Sequence, residues 1–165
     1  QDFDVMLLDI SLPDRNGIEI LKQVKKDKPN LAVLMLSMHN EHEFAIRALK
    51  AGASGYLNKQ SAPAQLVVAI RQVAMGDKYV SPVVAQELAN IINSDLDKPL
   101  YATLSDREYQ TLCFIAAGKT LSEISAEMFL SPKTVSVYRA RLLEKLKLTN
   151  NSELIRYAIK NKLVD

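Results

Sequence analysis

Cysteine is almost missing from this chain of 165 residues, which holds only Cys113. One thiol makes no internal disulfide and supplies no thiolate zinc cluster. Long apolar runs are missing too: stretches such as Ala32–Leu36 fall far short of the ~20 residues that span a bilayer. No basic segment followed by an apolar one opens the sequence, so no secretory signal is read there and a cytoplasmic location is expected. Net charge is small, at +2. Its distribution says more: residues 1–95 carry 10 Lys+Arg against 11 Asp+Glu, and residues 96–165 carry 11 against 8. The basic surplus lies in the second part, the direction that suits a nucleic-acid partner. With 48% hydrophobic residues and 24% charged, disorder is excluded and one or two small cores are within reach.

Two patterns divide the chain. Val5–Leu8, Ala32–Leu36 and Gly55–Leu57 read as short buried strands, separated by apolar residues at helical spacing: Ile18, Leu21 and Val24, then Phe44, Ala48 and Leu49. Leu66, Ala69, Ile70 and Val73 continue that spacing after the third strand. Strands alternating with helices imply an α/β fold with a parallel sheet. Beyond Gly76 the alternation stops. Ser81–Pro82 opens one helix, Asn93–Pro99 is turn-rich, and from Leu104 onward the pattern is all-α. Ser105-Asp-Arg-Glu108 and Thr120-Leu-Ser-Glu123 fit capping boxes, Ser131–Pro132 is a cap followed by proline, and Asn150-Asn-Ser-Glu153 opens a fourth helix. The expected domains are therefore 1–77, a linker with one helix over 78–100, and a four-helix domain over 101–165.

Ligands of a parallel α/β sheet sit at the carboxyl ends of its strands. Asp9, Ser37 and Lys59 fall there, one after each strand. A carboxylate, a hydroxyl and an ammonium in one crevice suit transient phosphorylation of the carboxylate: Asp9 attacks, Lys59 neutralises the phosphoryl oxygens, and Ser37 hydrogen-bonds one of them. Tyr56, close by on the third strand, is placed to change rotamer as the Ser37 loop moves. Taken singly, each of these residues is also what an ordinary strand end or solvated loop carries.

Leu7-Leu-Asp9-Ile-Ser-Leu-Pro13-Asp-Arg-Asn-Gly17 resembles the acceptor loop of bacterial response-regulator receiver domains, with the proline four residues and the glycine eight residues after the aspartate. Leu36–Ser37, Ala51-Gly-Ala-Ser-Gly-Tyr56-Leu and Lys59 are similar to the family's later signatures; Gln60 departs from its lysine–proline pair. The resemblance implies a flavodoxin-like receiver with Asp9 as phospho-acceptor, Ser37 and Tyr56 as the switch pair, and Lys59 as the family's lysine. It also implies a sensor histidine kinase as partner and Mg²⁺ as cofactor. Receivers of this kind carry two further strands and a helix upstream, with an acidic pair that binds Mg²⁺ alongside the acceptor. The resemblance covers about two-thirds of a receiver from its third strand onward, so a partial receiver lacking that pair is expected, with the edge of the first strand left for something to cover.

Leu121–Phe129, a short turn and Pro132–Leu146 have the proportions of a helix-turn-helix. At 100° per residue, Val135, Leu142 and Leu146 form the buried stripe of the second helix. Lys133, Ser136, Val137, Ala140 and Glu144 lie opposite, with Thr134, Arg141 and Lys145 on one flank and Arg139 on the other. Small and polar residues then face base edges while cations reach phosphates. Backbone N–H groups near Lys133 and Thr134 offer a phosphate site, and Lys119 and Lys147 add backbone contacts. Leu104-Ser-Asp-Arg-Glu108, Ala117–Gly118, Glu123–Ile124, Leu130-Ser-Pro-Lys-Thr-Val135 and Lys145–Leu146 resemble the LuxR-type DNA-binding module. Leu121–Ser122 and Ala140 depart from residues common there.

Receiver plus this module resembles the NarL/FixJ-type two-component transcription factors. That implies a phosphorylation-controlled regulator, not an enzyme, that binds duplex DNA as a homodimer, with Leu163 and the helix before it at the dimer face. Two other readings compete. One is an aspartyl-phosphate hydrolase, against which stands Ser11 where an Asp-x-Asp pattern needs its second acid. The other is a constitutive DNA binder whose partial receiver serves only protein interaction. Cys113 is expected as a buried structural thiol, and His39 and His42 as capping or exposed residues without metal.

Overall fold

The computed structural model describes residues 3–12, 15–38, 42–93 and 98–164; His39 and Pro13 lie outside them. The chain folds as two compact units, residues 1–93 and 94–165.

In the first unit, β1 (Val5–Asp9), β2 (Ala32–Ser37) and β3 (Gly55–Asn58) form a parallel sheet in the order β1-β2-β3. Helices α1 (Gly17–Asp27), α2 (His42–Lys50) and α3 (Pro63–Ala74) complete the alternation. The sheet is covered on both faces, and side-chain parity sorts the two layers. Leu34 and Leu57 pack on Ala69 and Val73 of α3. Val33, Met35 and Leu8 have the other parity and are buried on the side where α1 and α2 bring Ile18, Leu21, Phe44 and Ala48. β1 pairs only with β2 among the described residues, and Leu7 on it is exposed.

Residues 78–93, expected as part of a linker, belong instead to this unit. Tyr79 bridges to Gly55 alongside β3, and α4 (Pro82–Asn93) packs on α2 with Val84 buried. Ser81 caps α4, its Oγ accepting from the Val84 N–H at 3.3 Å.

The second unit comprises a short 3-10 turn at Leu100–Thr103 and helices α5 (Asp106–Ala116), α6 (Leu121–Met128), α7 (Pro132–Leu146) and α8 (Asn151–Lys160). All four caps read from the sequence form: Ser105, Thr120, Ser131 and Asn150 each accept the backbone N–H three residues on. Ser105 and Thr120 close full capping boxes with Glu108 and Glu123. Tyr109, Leu112, Ile124, Val135, Leu142 and Leu154 fill the core. Cys113, expected buried, is half-buried at the edge of the α5 stripe. α6 and α7 each end on a left-handed residue that is not glycine, Phe129 at φ 54° and Lys147 at φ 58°. A Cβ is disfavoured in that conformation, so Lys147→Gly is expected to stabilise the helical unit by about 0.5–1 kcal/mol, read as a higher midpoint in thermal unfolding.

Candidate functional site

Asp9 is the last residue of β1, Ser37 the last of β2, and Lys59 follows β3 directly. The structure gathers them at one edge. The Lys59 ammonium donates to one Asp9 carboxylate oxygen, and the Ser11 N–H donates to the other at 2.9 Å. The Lys59 N–H donates to the Ser37 carbonyl at 2.7 Å, which fixes the lysine's loop to the end of β2. Ser37 is buried and Asp9 half-exposed. Tyr56 is buried one strand layer deeper, where it lines a cleft of about 300 Å³ with His42, Tyr79 and Val84.

The loop after Asp9 is held by contacts that spacing alone does not announce. Gly17 opens α1 so close to the strand end that a Cβ there would lie 2.2 Å from the Asp9 carbonyl oxygen and 2.8 Å from Ile10 Cα. Buried Asn16 caps the helix, its Oδ1 accepting from the Ile18 N–H at 2.8 Å. The Gly17 N–H in turn donates to the Ile10 carbonyl at 2.9 Å. The resemblance marked the glycine; the reason for it is this backbone approach.

On the helical unit, α7 buries Val135, Leu142 and Leu146 and exposes Lys133, Ser136, Val137, Ala140 and Arg141, with Thr134 and Arg139 half-buried. The Thr134 N–H, offered to a phosphate by the sequence, is taken by the Ser131 Oγ at 3.1 Å. Three of the expected cations have protein partners. Lys119 pairs with Glu127 and sits over the Phe114 ring, 5.3 Å from its centroid. The Arg139 Nε donates to the Asn151 Oδ1 at 2.6 Å. Lys145 donates to the Glu108 Oε2 at 2.7 Å. Burial raises the Glu108 carboxyl, but the Lys145 ammonium and the Ser105 N–H outweigh it, and the group sits below its ordinary value. Glu108 was legible only as a capping-box residue; its second partner lies 37 positions away and leaves no local signal.

Residues 1–71 match the response regulator receiver domain family, and residues 102–158 match the luxR family of bacterial regulatory proteins. The chain is 37% identical over 161 residues to the response regulator UvrY of Escherichia coli K12, covering 97% of this chain and 74% of that protein. The chain is a response regulator of the NarL/FixJ type. The regulator is also 41% identical over 152 residues to the transcriptional regulatory protein UhpA of the same organism, covering 92% of the regulator and 72% of UhpA. Its fold is similar to that of RcsB from Salmonella enterica serovar Typhimurium, solved bound to promoter rprA with the phosphomimetic BeF3⁻ (TM-score 0.60, 26% identity, 95% of the regulator and 75% of that chain).

Receiver domains typically use Mg²⁺, and the residues around Asp9 can be tested for it. Among the described residues they supply the Asp9 carboxylate, already engaged by Lys59 and Ser11, and no group of three His, Cys, Asp or Glu gathers there. These residues do not by themselves fit a divalent ion. No helix among the described residues is long and apolar enough to cross a membrane.

Proposed function

We propose that this regulator binds duplex DNA through α7 and is switched by phosphorylation at Asp9 from a sensor histidine kinase in the cytoplasm. The observation that carries the switch is the Lys59 ammonium on the Asp9 carboxylate, tied by its backbone to Ser37. An Asp9 oxygen attacks phosphorus, the P–N bond to the kinase histidine breaks, and the imidazole leaves and takes up a proton. Lys59 passes from the carboxylate to the new phosphoryl oxygens, and the Ser37 hydroxyl is placed to donate to one of them. The pairing with Lys59 keeps the ammonium in position before the charge arrives, so little reorganisation is needed.

DNA reading falls to the exposed face of α7: Ser136, Val137 and Ala140 toward base edges, and Lys133 and Arg141 toward phosphates, while Thr134 reaches one only by leaving Ser131. Lys119, Arg139 and Lys145 reach phosphates only by exchanging Glu127, Asn151 and Glu108. The relative solved bound to a promoter in the presence of a phosphomimetic supports both halves of the proposal. Two copies on half-sites about 10 base pairs apart would place both reading helices on one side of the duplex. The chain is not assigned an enzymatic turnover of its own.

The test has two arms. Acetyl phosphate should label the whole chain and not Asp9→Asn; DNA binding that is identical for the two after treatment would favour the constitutive reading. Arg141→Ala should weaken binding to every duplex and lower the slope of log affinity against log salt by about one, measured by fluorescence anisotropy. An unchanged slope overturns the phosphate contact.

A further inference from the structure

Asn16 sits where the loop after Asp9 runs into α1, and of the chain's asparagines it alone is followed by glycine. That pair of residues carries a reaction of its own. With no Cβ on the following residue to obstruct it, a glycine nitrogen can attack the side-chain amide before it. The Gly17 nitrogen bonds to Asn16 Cγ, the Cγ–Nδ2 bond breaks, and ammonia leaves with the proton shed by the attacking nitrogen. Water, the one co-reactant, then opens the five-membered imide. Opened at Cγ, the imide gives aspartate. Opened at the main-chain carbonyl carbon, it gives isoaspartate, with the chain rerouted through Cβ and Cγ.

The fold holds this reaction off at each point. Asn16 is fully buried, which keeps water from it. Its Oδ1 accepts from the Ile18 N–H at 2.8 Å, so the amide is pinned over the helix N-terminus. The attacking nitrogen is pinned too, its N–H donated to the Ile10 carbonyl at 2.9 Å. At ψ 129° the backbone of Asn16 turns the Gly17 nitrogen well away from Cγ, whereas ring closure brings the two together. All these restraints belong to one turn of helix, seated by Ile18 at 0% exposure. Opening that turn removes them without unfolding the rest, and helix ends open far more often than cores do.

The two products leave different structures. Asn16 pairs with Ser11 across the loop, and the Ser11 N–H holds Asp9. Aspartate keeps the normal backbone and an oxygen for the Ile18 N–H. Isoaspartate lengthens the main chain by one carbon just before Gly17, which already lies so close to the Asp9 carbonyl that no Cβ fits.

We propose that Asn16–Gly17 is a self-modification site, closed by the first turn of α1, whose isoaspartyl product unseats Asp9 while the helical unit stays whole.

Peptide mass spectrometry of the full chain, incubated in mildly alkaline buffer, tests it. The peptide bearing Asn16 should gain about 1 Da in urea, should gain it at least about a hundredfold more slowly in the native chain, and should not gain it in Asn16→Ser, whose hydroxyl still caps. Ile18→Ala should speed the native reaction about tenfold while amides of Val33–Met35 and of α5–α8 stay protected; if β2 loses protection, Ile18→Val takes its place. The isoaspartyl fraction is separated by ion exchange and verified with an isoaspartyl methyltransferase. In it the Ile10 and Ser11 amides should exchange at least about tenfold faster than in the parent, and those of α5–α8 as before. No mass gain in urea overturns the site. A native rate within about threefold of the urea rate, or one that truncating Ile18 leaves unchanged, overturns the guard by the first turn. Isoaspartyl chains whose Ile10 and Ser11 amides exchange as in the parent overturn the unseating of Asp9.

Discussion

Replacing Gly17 with alanine is expected to cost the α/β unit about 3 kcal/mol and to lower its unfolding midpoint by more than about 10 °C. The new methyl would meet backbone, the Asp9 carbonyl oxygen at 2.2 Å and Ile10 Cα at 2.8 Å, and no rotamer change relieves a backbone clash. Either α1 withdraws, breaking the Gly17-to-Ile10 hydrogen bond and disturbing buried Asn16, or the Asp9 loop is pushed out of line with Lys59. Both routes damage the site proposed around Asp9. The variant should therefore lose acetyl-phosphate labelling even at temperatures where circular dichroism shows it folded. Calorimetry is the check on stability, and a midpoint within a degree or two of the parent would refute the close approach. The helical unit, with its own core, should keep its unfolding transition unchanged.

The second large effect is expected at Lys145. Lys145→Met leaves the Glu108 carboxylate, 4% exposed, without its ammonium. Breaking a fully buried pair costs roughly 3–5 kcal/mol; Lys145 is 40% exposed and Ser105 still donates to the carboxylate, so about 2 kcal/mol is expected here. The sign with pH follows from the lowered carboxyl. A group that binds its proton less readily when folded contributes stability above its unfolded pKa of about 4.3, and loses it as pH falls through the lower folded value. The parent's helical unit should thus weaken as pH drops below about 4, and Lys145→Met should show a shallower decline because its loss is already present at neutral pH. Glu108→Gln/Lys145→Met should recover part of the loss, since it removes the buried charge along with its partner. Urea unfolding at several pH values measures both. A DNA salt slope that falls by one in Lys145→Met, with stability intact, would make this lysine a phosphate contact instead.

What could be read without coordinates was whatever is encoded locally. Strand runs such as Val33–Leu36 declare themselves by burial on both faces, and the caps at Ser105, Thr120, Ser131 and Asn150 by side chains placed to catch a backbone N–H three residues on. The order of Asp9, Ser37 and Lys59 followed from the rule that parallel strands end on one edge. Contacts between distant residues left no such trace. Tyr79 joins the sheet through one residue, too short for any period, so the segment carrying it reads as a linker in sequence. Glu108 shows itself as a cap, while its ammonium partner arrives from another helix. Arg139 looks like an open cation in a helical projection because a projection omits Asn151, and Lys119 looks open in the turn before α6 because the sequence does not show Glu127 folding back onto it.

The parallel sheet also sets the order in which the molecule assembles. Every neighbour pair among β1, β2 and β3 is parallel, so each rung waits for a whole helix to fold between its partners. The helical unit needs no such wait: its caps nucleate each helix from residues at hand. On dilution from denaturant, DNA-binding competence should return in a fast phase and the strand edge that carries Asp9 in a slower one. For an interval after refolding begins, the molecule is a reader without its switch.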